Sequence, residues 1–261
     1  MKSKLLSSKK LFLFDLDGVF YKGKENRDLI GGVAALSHLR SLGKSVRLLT
    51  NNSTDTVETI HSRLNAFGID FKLNEVLSSA YLTAQFVRDK FGEVTYYLVG
   101  EEGLDEEMRR FGHHPWGAGR SPDMVVVGLD RGLTYSKLDQ GARFLRAGSK
   151  LVATHNSRLY MAKDGPAVAT GPIVKALEFA SGKKAVVVGK PSPHMFRMAL
   201  KTASCAKKDA VMIGDQLDTD ILGAENSGID AVLVKSGVDR SARGHRVAAT
   251  IETVDDLVRL V

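Results

Sequence analysis

The sequence predicts an α/β fold on a mainly parallel sheet, with a second, smaller α/β lobe inserted into it. Three observations predict this. Short β-rich runs alternate with stretches of helical period along the whole chain. Those runs are near-continuously apolar, as expected for strands covered by helices on both faces. A length of 261 residues is long for one plain core and short for two large independent domains.

The elements follow in order. Residues 11–16 read as the first strand, 32–42 as a helix, 46–50 as a strand and 54–67 as a helix. Gly43 and Gly68 stand where those two helices need a left-handed residue to close. The middle repeats the alternation: strands at 95–99, 124–127 and 151–154, with helices near 104–111, 135–147 and 171–180. The original pattern then resumes with strands at 185–188, 210–213 and 231–234, and helices at 193–202 and 218–227. Residues 1–80 and 182–261 are therefore assigned to one core domain, and residues 81–181 to the inserted lobe.

Composition narrows the class. Hydrophobic residues make up 43% and charged residues 26%, both ordinary for a soluble globular protein. No apolar run reaches the roughly 20 residues that span a bilayer. The basic start lacks the apolar stretch of a secretory signal. Cys205 is the only cysteine, so no internal disulfide can form and a cytoplasmic setting is expected. Lying beside Ala203 and Ala206, it reads as a core filler. A formal charge of +7 favours anionic partners. The lysine pairs at 183–184 and 207–208 do not alternate with aromatic platforms, which argues against nucleic acid and leaves a small phosphorylated metabolite.

Four polar patches carry the chemistry, each directly after a predicted buried strand, where ligands bind in such folds. The first is Asp15 and Asp17, spaced i, i+2 before Gly18; alone, such a pair could simply shape a turn. The second runs Thr50-Asn51-Asn52-Ser53-Thr54, in which Ser53 or Thr54 can cap the next helix and the donors suit an anion. Capping does not account for the Asn pair. The third is Lys190, held between Gly189 and Pro191 and suited to neutralising a phosphate. The fourth is Asp215, Asp218 and Asp220 after Gly214. Hard oxygen ligands from Asp15, Asp17 and Asp215 suit Mg²⁺.

Acid pair, Thr/Asn, Lys and acid cluster, in that order, resemble the haloacid dehalogenase (HAD) superfamily of phosphatases. The segments Leu48-Leu49-Thr50-Asn51-Asn52-Ser53, Val127-Gly128-Leu129-Asp130, Val188-Gly189-Lys190-Pro191-Ser192-Pro193 and Gly214-Asp215-Gln216-Leu217-Asp218-Thr219-Asp220 look like its NagD-type branch. That branch joins a HAD-like Rossmannoid core to an α/β cap of the C2 type, inserted between the second and third motifs. The resemblance implies Mg²⁺-dependent hydrolysis of small phosphomonoesters such as sugar phosphates, glycerol phosphate, phosphoglycolate or nucleotides. It makes Asp15 the nucleophile and Asp17 the general acid and base. Thr50, Asn51, Asn52 and Lys190 would bind phosphate. Asp15, Asp215 and the backbone carbonyl of Asp17 would hold the metal, with Asp220 orienting metal waters or Lys190 from behind. Asp218 reads as a helix-start acid. A halide leaving group needs no proton, so Asp17 favours phosphoryl transfer over dehalogenation. A phosphotransferase or mutase, a ligand-binding module without turnover, and action on nucleic-acid ends are the competing readings. Caps of this branch often pair in relatives, so a homodimer is also open.

One loop departs from the family pattern. Residues 153–161 carry His155, Ser157 and Met161 where relatives have Asn, Asp and Pro. His155, Arg158 and Lys163 are therefore expected to face the site and favour a second negative group on the substrate, against the simpler reading of Arg158 and Lys163 as solvated charges. His113 and His114 lack a nearby third ligand and read as a surface turn.

Overall fold

The computed structural model describes residues 2–22, 28–162 and 165–261. Two parallel sheets organise them. The larger has six strands in the order Ala249–Ile251, Asp230–Val234, Ala210–Gly214, Leu11–Phe14, Ser45–Thr50, Val76–Ser78. The smaller has five: Val186–Val187, Lys150–Ala153, Met124–Val127, Thr95–Val99, His114–Pro115. Every pairing within both sheets is parallel. Two short antiparallel pairs stand outside the sheets, Tyr21–Lys22 with Asp28–Leu29 and Leu159–Ala162 with Gly165–Val168.

The first strand lies at the centre of the larger sheet because all four of its residues are apolar and buried. Helices cover both faces, and two apolar clusters fill the spaces. One joins Phe12, Phe14, Phe20 and Phe71; the other runs from Leu13 and Met212 to Tyr96 and Val126 in the smaller lobe. Each such side chain contributes about 1.5–3 kcal/mol relative to exposure. Among the described residues, no helix is long and apolar enough to cross a membrane.

Several expectations are corrected in detail. The apolar run at 185–188 pairs through Val186 and Val187 with Val152 and Ala153, at the edge of the smaller sheet. Helix Val57–Ala66 is capped by Thr56, whose Oγ1 accepts from Thr59 N, rather than by Ser53 or Thr54. The reason lies just upstream: Asn52 Oδ1 accepts from Thr54 N and Asp55 N, so a side-chain-closed turn precedes the helix. His113 is buried, with Nε2 3.0 Å from Ala84 O, so only His114 is a surface residue. Residues 217–221 form one wide π-type turn before helix Leu222–Ser227. Strands Val76–Ser78 and Ala249–Ile251 and helix Ser79–Phe91 were not anticipated.

The lobes are bolted together beside the second motif. Glu107 Oε1 accepts from Val57 N at 2.9 Å, at the open start of helix Val57–Ala66. Arg110 grips Glu58 through two bonds of 2.6 and 2.5 Å, and Leu129 N donates to Ser53 Oγ at 3.0 Å.

Candidate active site

The carboxyl ends of the central strands converge on one buried cluster. Asp15 N donates to Ile213 O at 2.9 Å, which holds the acid directly beyond the first strand. Lys190 reaches in from the chain returning from the smaller lobe. Its ammonium donates to Asp15 Oδ1 at 2.6 Å and to Asp220 Oδ1 at 2.7 Å. Asp15, Asp215 and Asp220 each offer a carboxylate oxygen, all within 4.8 Å of one another. The wide turn at 217–221 serves this arrangement: it brings Asp220 inward, where Oδ2 also accepts from Gln216 N at 3.1 Å.

Three buried carboxylates around one ammonium leave two negative charges uncompensated. Burial first, then Asp15 and the neighbouring Asp220, push Asp215 well above the usual carboxylate range. Burial and Asp15 push Asp220 up to about 6. Burial also raises Asp15, against the pull of Lys190. Burial alone would lower the Lys190 ammonium, yet Asp15 and Asp220 outweigh it and hold it above the ordinary lysine value. Asp215 Oδ2 accepts from Val238 N at 2.8 Å, while its buried Oδ1 has no partner among the described residues. An unsatisfied carboxylate oxygen in a cluster with two excess negative charges fits a hard divalent cation.

The loop after strand Asp230–Val234 completes this wall, and the sequence reading passed it over. Asp239 N donates to Asp215 O at 3.0 Å, and Ser236 Oγ donates to Gly18 O at 2.7 Å. Glycine is required on both sides of Asp215. A Cβ at Gly237 or at Gly18 would run into its carboxylate, and Gly18 also has φ +82°. The strand-end rule that singled out the other four patches, applied once more at Lys235-Ser236-Gly237, would have found this loop.

The second patch frames the opposite side. Thr50 is buried, and its Oγ1 accepts from Asn52 N at 3.1 Å. Asn51 clamps the backbone of Lys190, accepting from its N–H at 2.9 Å and donating to its carbonyl at 3.0 Å. The Asn52 side chain holds its own turn and donates to Asp55 Oδ2 at 2.9 Å. All three residues line a cavity of about 500 Å³ together with Asp15, Asp17 and Lys190.

The far side of the cavity comes from the smaller lobe. Leu159, Met161 and Ala162 of the antiparallel pair line it, with His155 deeper in. His155 is buried; Ser157 N donates to its Nδ1 at 3.3 Å, so Nε2 carries the proton toward Thr170 Oγ1 at 3.0 Å. Arg158 is outside the lining, at 87% exposure and 3.6 Å from the exposed Asp218. Lys163 lies outside the described residues.

Comparison with known proteins agrees with this geometry. Residues 12–114 match the haloacid dehalogenase-like hydrolase family, and residues 187–260 match a HAD-hydrolase-like family. An acid sugar phosphatase of Staphylococcus saprophyticus is 34% identical over 229 residues, covering 88% of this chain and 87% of that protein. The solved structure of a p-nitrophenyl phosphatase from Archaeoglobus fulgidus superposes with a TM-score of 0.90 at 31% identity, over 97% of this chain and 99% of that one. A structure described as a putative NagD protein gives 0.89 at 29% identity, over 97% and 98%. With its four motifs gathered at the ends of the central strands, the chain belongs to the haloacid dehalogenase-like hydrolases, within the NagD branch of phosphatases.

Proposed function

We propose that this phosphatase hydrolyses small organic phosphomonoesters through a covalent phosphate on Asp15, with Mg²⁺ held by Asp15, Asp215 and the carbonyl of Asp17. The observation that carries the reading is Lys190, buried and bonded at once to Asp15 and Asp220, beside an Asp215 oxygen with no partner. Asp15 attacks phosphorus, forming an O–P bond as the bond to the ester oxygen breaks. Asp17, half-buried and lining the same cavity, gives its proton to the departing alkoxide. It then takes a proton from the water whose oxygen displaces Asp15 from phosphorus. Lys190 balances the growing charge on the phosphoryl oxygens, and Asn51 fixes the Lys190 backbone while it does so. The cation, when bound, supplies further positive charge at those oxygens. Asp220 keeps Lys190 aimed and charged. The smaller lobe encloses the ester's alcohol part.

The test is phosphate release from 4-nitrophenyl phosphate and a panel of small phosphate esters, with and without Mg²⁺. Release is expected only with the metal, and Asp15→Asn is expected to lower kcat by about a thousandfold or more with the melting midpoint nearly unchanged. Residual turnover above a few per cent of wild type would remove Asp15 as nucleophile. Phosphate transfer to an added alcohol in preference to water would turn the reading into a phosphotransferase.

A further inference from the structure

We infer that Arg240 selects phosphomonoesters whose alcohol part carries a second anion, a carboxylate or another phosphate; this rests on the phosphatase reading above. Three observations converge on it. Arg240 lines the cavity that contains Asp15, and it does so from the larger lobe, in the loop anchored to Asp215. Its backbone is fixed by its neighbours: Val238 N and Asp239 N both donate to Asp215, at 2.8 and 3.0 Å. Its guanidinium is exposed and has no hydrogen-bonding or ion-pair partner among the described residues.

That last property is unusual for this chain. Among the described arginines, all but Arg146, Arg197 and Arg240 lie within ion-pair distance of a carboxylate. Of those three, Arg240 alone lines the cavity. The adjacent acid is committed elsewhere, since Asp239 Oδ2 accepts from Leu217 N at 2.9 Å. Among the described residues, the only other lysine or arginine in the lining is Lys190, which Asp15 and Asp220 hold at the place of the transferred phosphoryl group. Among the described lining residues, a substrate with a second negative group thus finds one cation without a protein partner, and it is Arg240. A guanidinium offers the planar fork that carboxylate and phosphate oxygens accept in pairs. Arg158, the cation expected from sequence to do this, is instead turned outward toward Asp218.

The experiment compares matched substrate pairs. One arm sets phosphoglycolate against 2-hydroxyethyl phosphate; the other sets 1,3-propanediol bisphosphate against its monophosphate. Wild type is expected to prefer the anionic member of at least one pair in kcat/KM. Arg240→Gln should lower that preference about tenfold, mainly through KM, and Arg240→Lys should keep part of it. Arg158→Gln should leave the preference as in wild type. The arm that responds identifies the carboxylate or the phosphate as the recognised group. A wild type without anionic preference, or a preference that survives Arg240→Gln in both arms, overturns the inference and leaves the phosphatase reading standing. No phosphate release from any of the four compounds overturns the inference, and the phosphatase reading falls with it only if 4-nitrophenyl phosphate is also left intact.

Discussion

Lys190 and Arg158 are both cations that the sequence offers to the site, and the structure treats them in opposite ways. The Lys190 side chain is 2% exposed and touches two carboxylates; that of Arg158 is 87% exposed and stands 3.6 Å from another solvated group. The same contrast runs through the whole cavity. Its floor is a buried polar cluster in which nearly every hydrogen-bonding atom is committed. The far wall is an antiparallel pair on which Leu159 and Met161 are left about half exposed. Charges in a low-dielectric floor interact strongly and need each other; charges in a wet wall are screened. The chemistry is therefore intolerant of change, and the enclosure is tolerant.

The sharpest way to break this contrast is to remove Lys190. Lys190→Met leaves Asp15 and Asp220 buried and uncompensated, and the expected loss is about 3–5 kcal/mol of stability together with all turnover. Adding Asp220→Asn should return part of the stability and none of the activity, a coupling that urea titration of both variants would measure. Equal stability of wild type and Lys190→Met would mean that the floor is wetter than its burial indicates.

A second, intermediate effect concerns the acids. With Asp220 pushed up to about 6 and Asp215 raised as well, the folded protein holds protons that the unfolded chain releases near the ordinary aspartate value of about 3.9. Metal-stripped protein is thus expected to lose stability as pH rises through about 4 to 6 and beyond. Mg²⁺ held by those carboxylates, as proposed above, would compete with the protons, so the melting-point gain on adding it should be small at pH 5 and larger at pH 7.5. At a hundredfold excess over Kd the gain corresponds to about 2.7 kcal/mol. A gain that is larger at pH 5 would contradict the raised acids.

The smallest effect belongs to the wall. Arg158→Ala should shift the melting midpoint by no more than about 2 °C, because an exposed pair with Asp218 stabilises little. A larger shift would show that this pair helps to hold the lobes together.

The floor was legible in the sequence and the wall was not, for a physical reason. Asp15 and Asp215 follow buried strands, Thr50 ends one, and Lys190 follows the apolar run 185–188; an apolar run that stops at a polar residue is visible without a structure. What such a run does not disclose is its neighbour. Residues 186–187 are as apolar as a central strand, yet they pair with Val152 and Ala153 at an edge of the other sheet. Short strands such as Val76–Ser78 and Ala249–Ile251 give too few residues for a period to register. Leu159–Ala162 lacks a strand's usual contrast, because its residues alternate only between exposed and half-buried. Arg240 carries no mark in the sequence because its significance lies in what does not surround it, which is a property of the folded chain.

The order of the strands has a consequence for how the protein is made. Leu11–Phe14, which leads directly into Asp15, pairs on one side with Ser45–Thr50 and on the other with Ala210–Gly214. The smaller sheet, by contrast, is continuous in sequence, from Thr95 to Val187. During synthesis all five of its strands are therefore available before the larger sheet has received its third-last strand. Until residue 214 leaves the ribosome, the strand that leads into Asp15 has an open edge. The part of the molecule that tolerates most change is complete first, and the part that tolerates least must wait for the chain's final fifth.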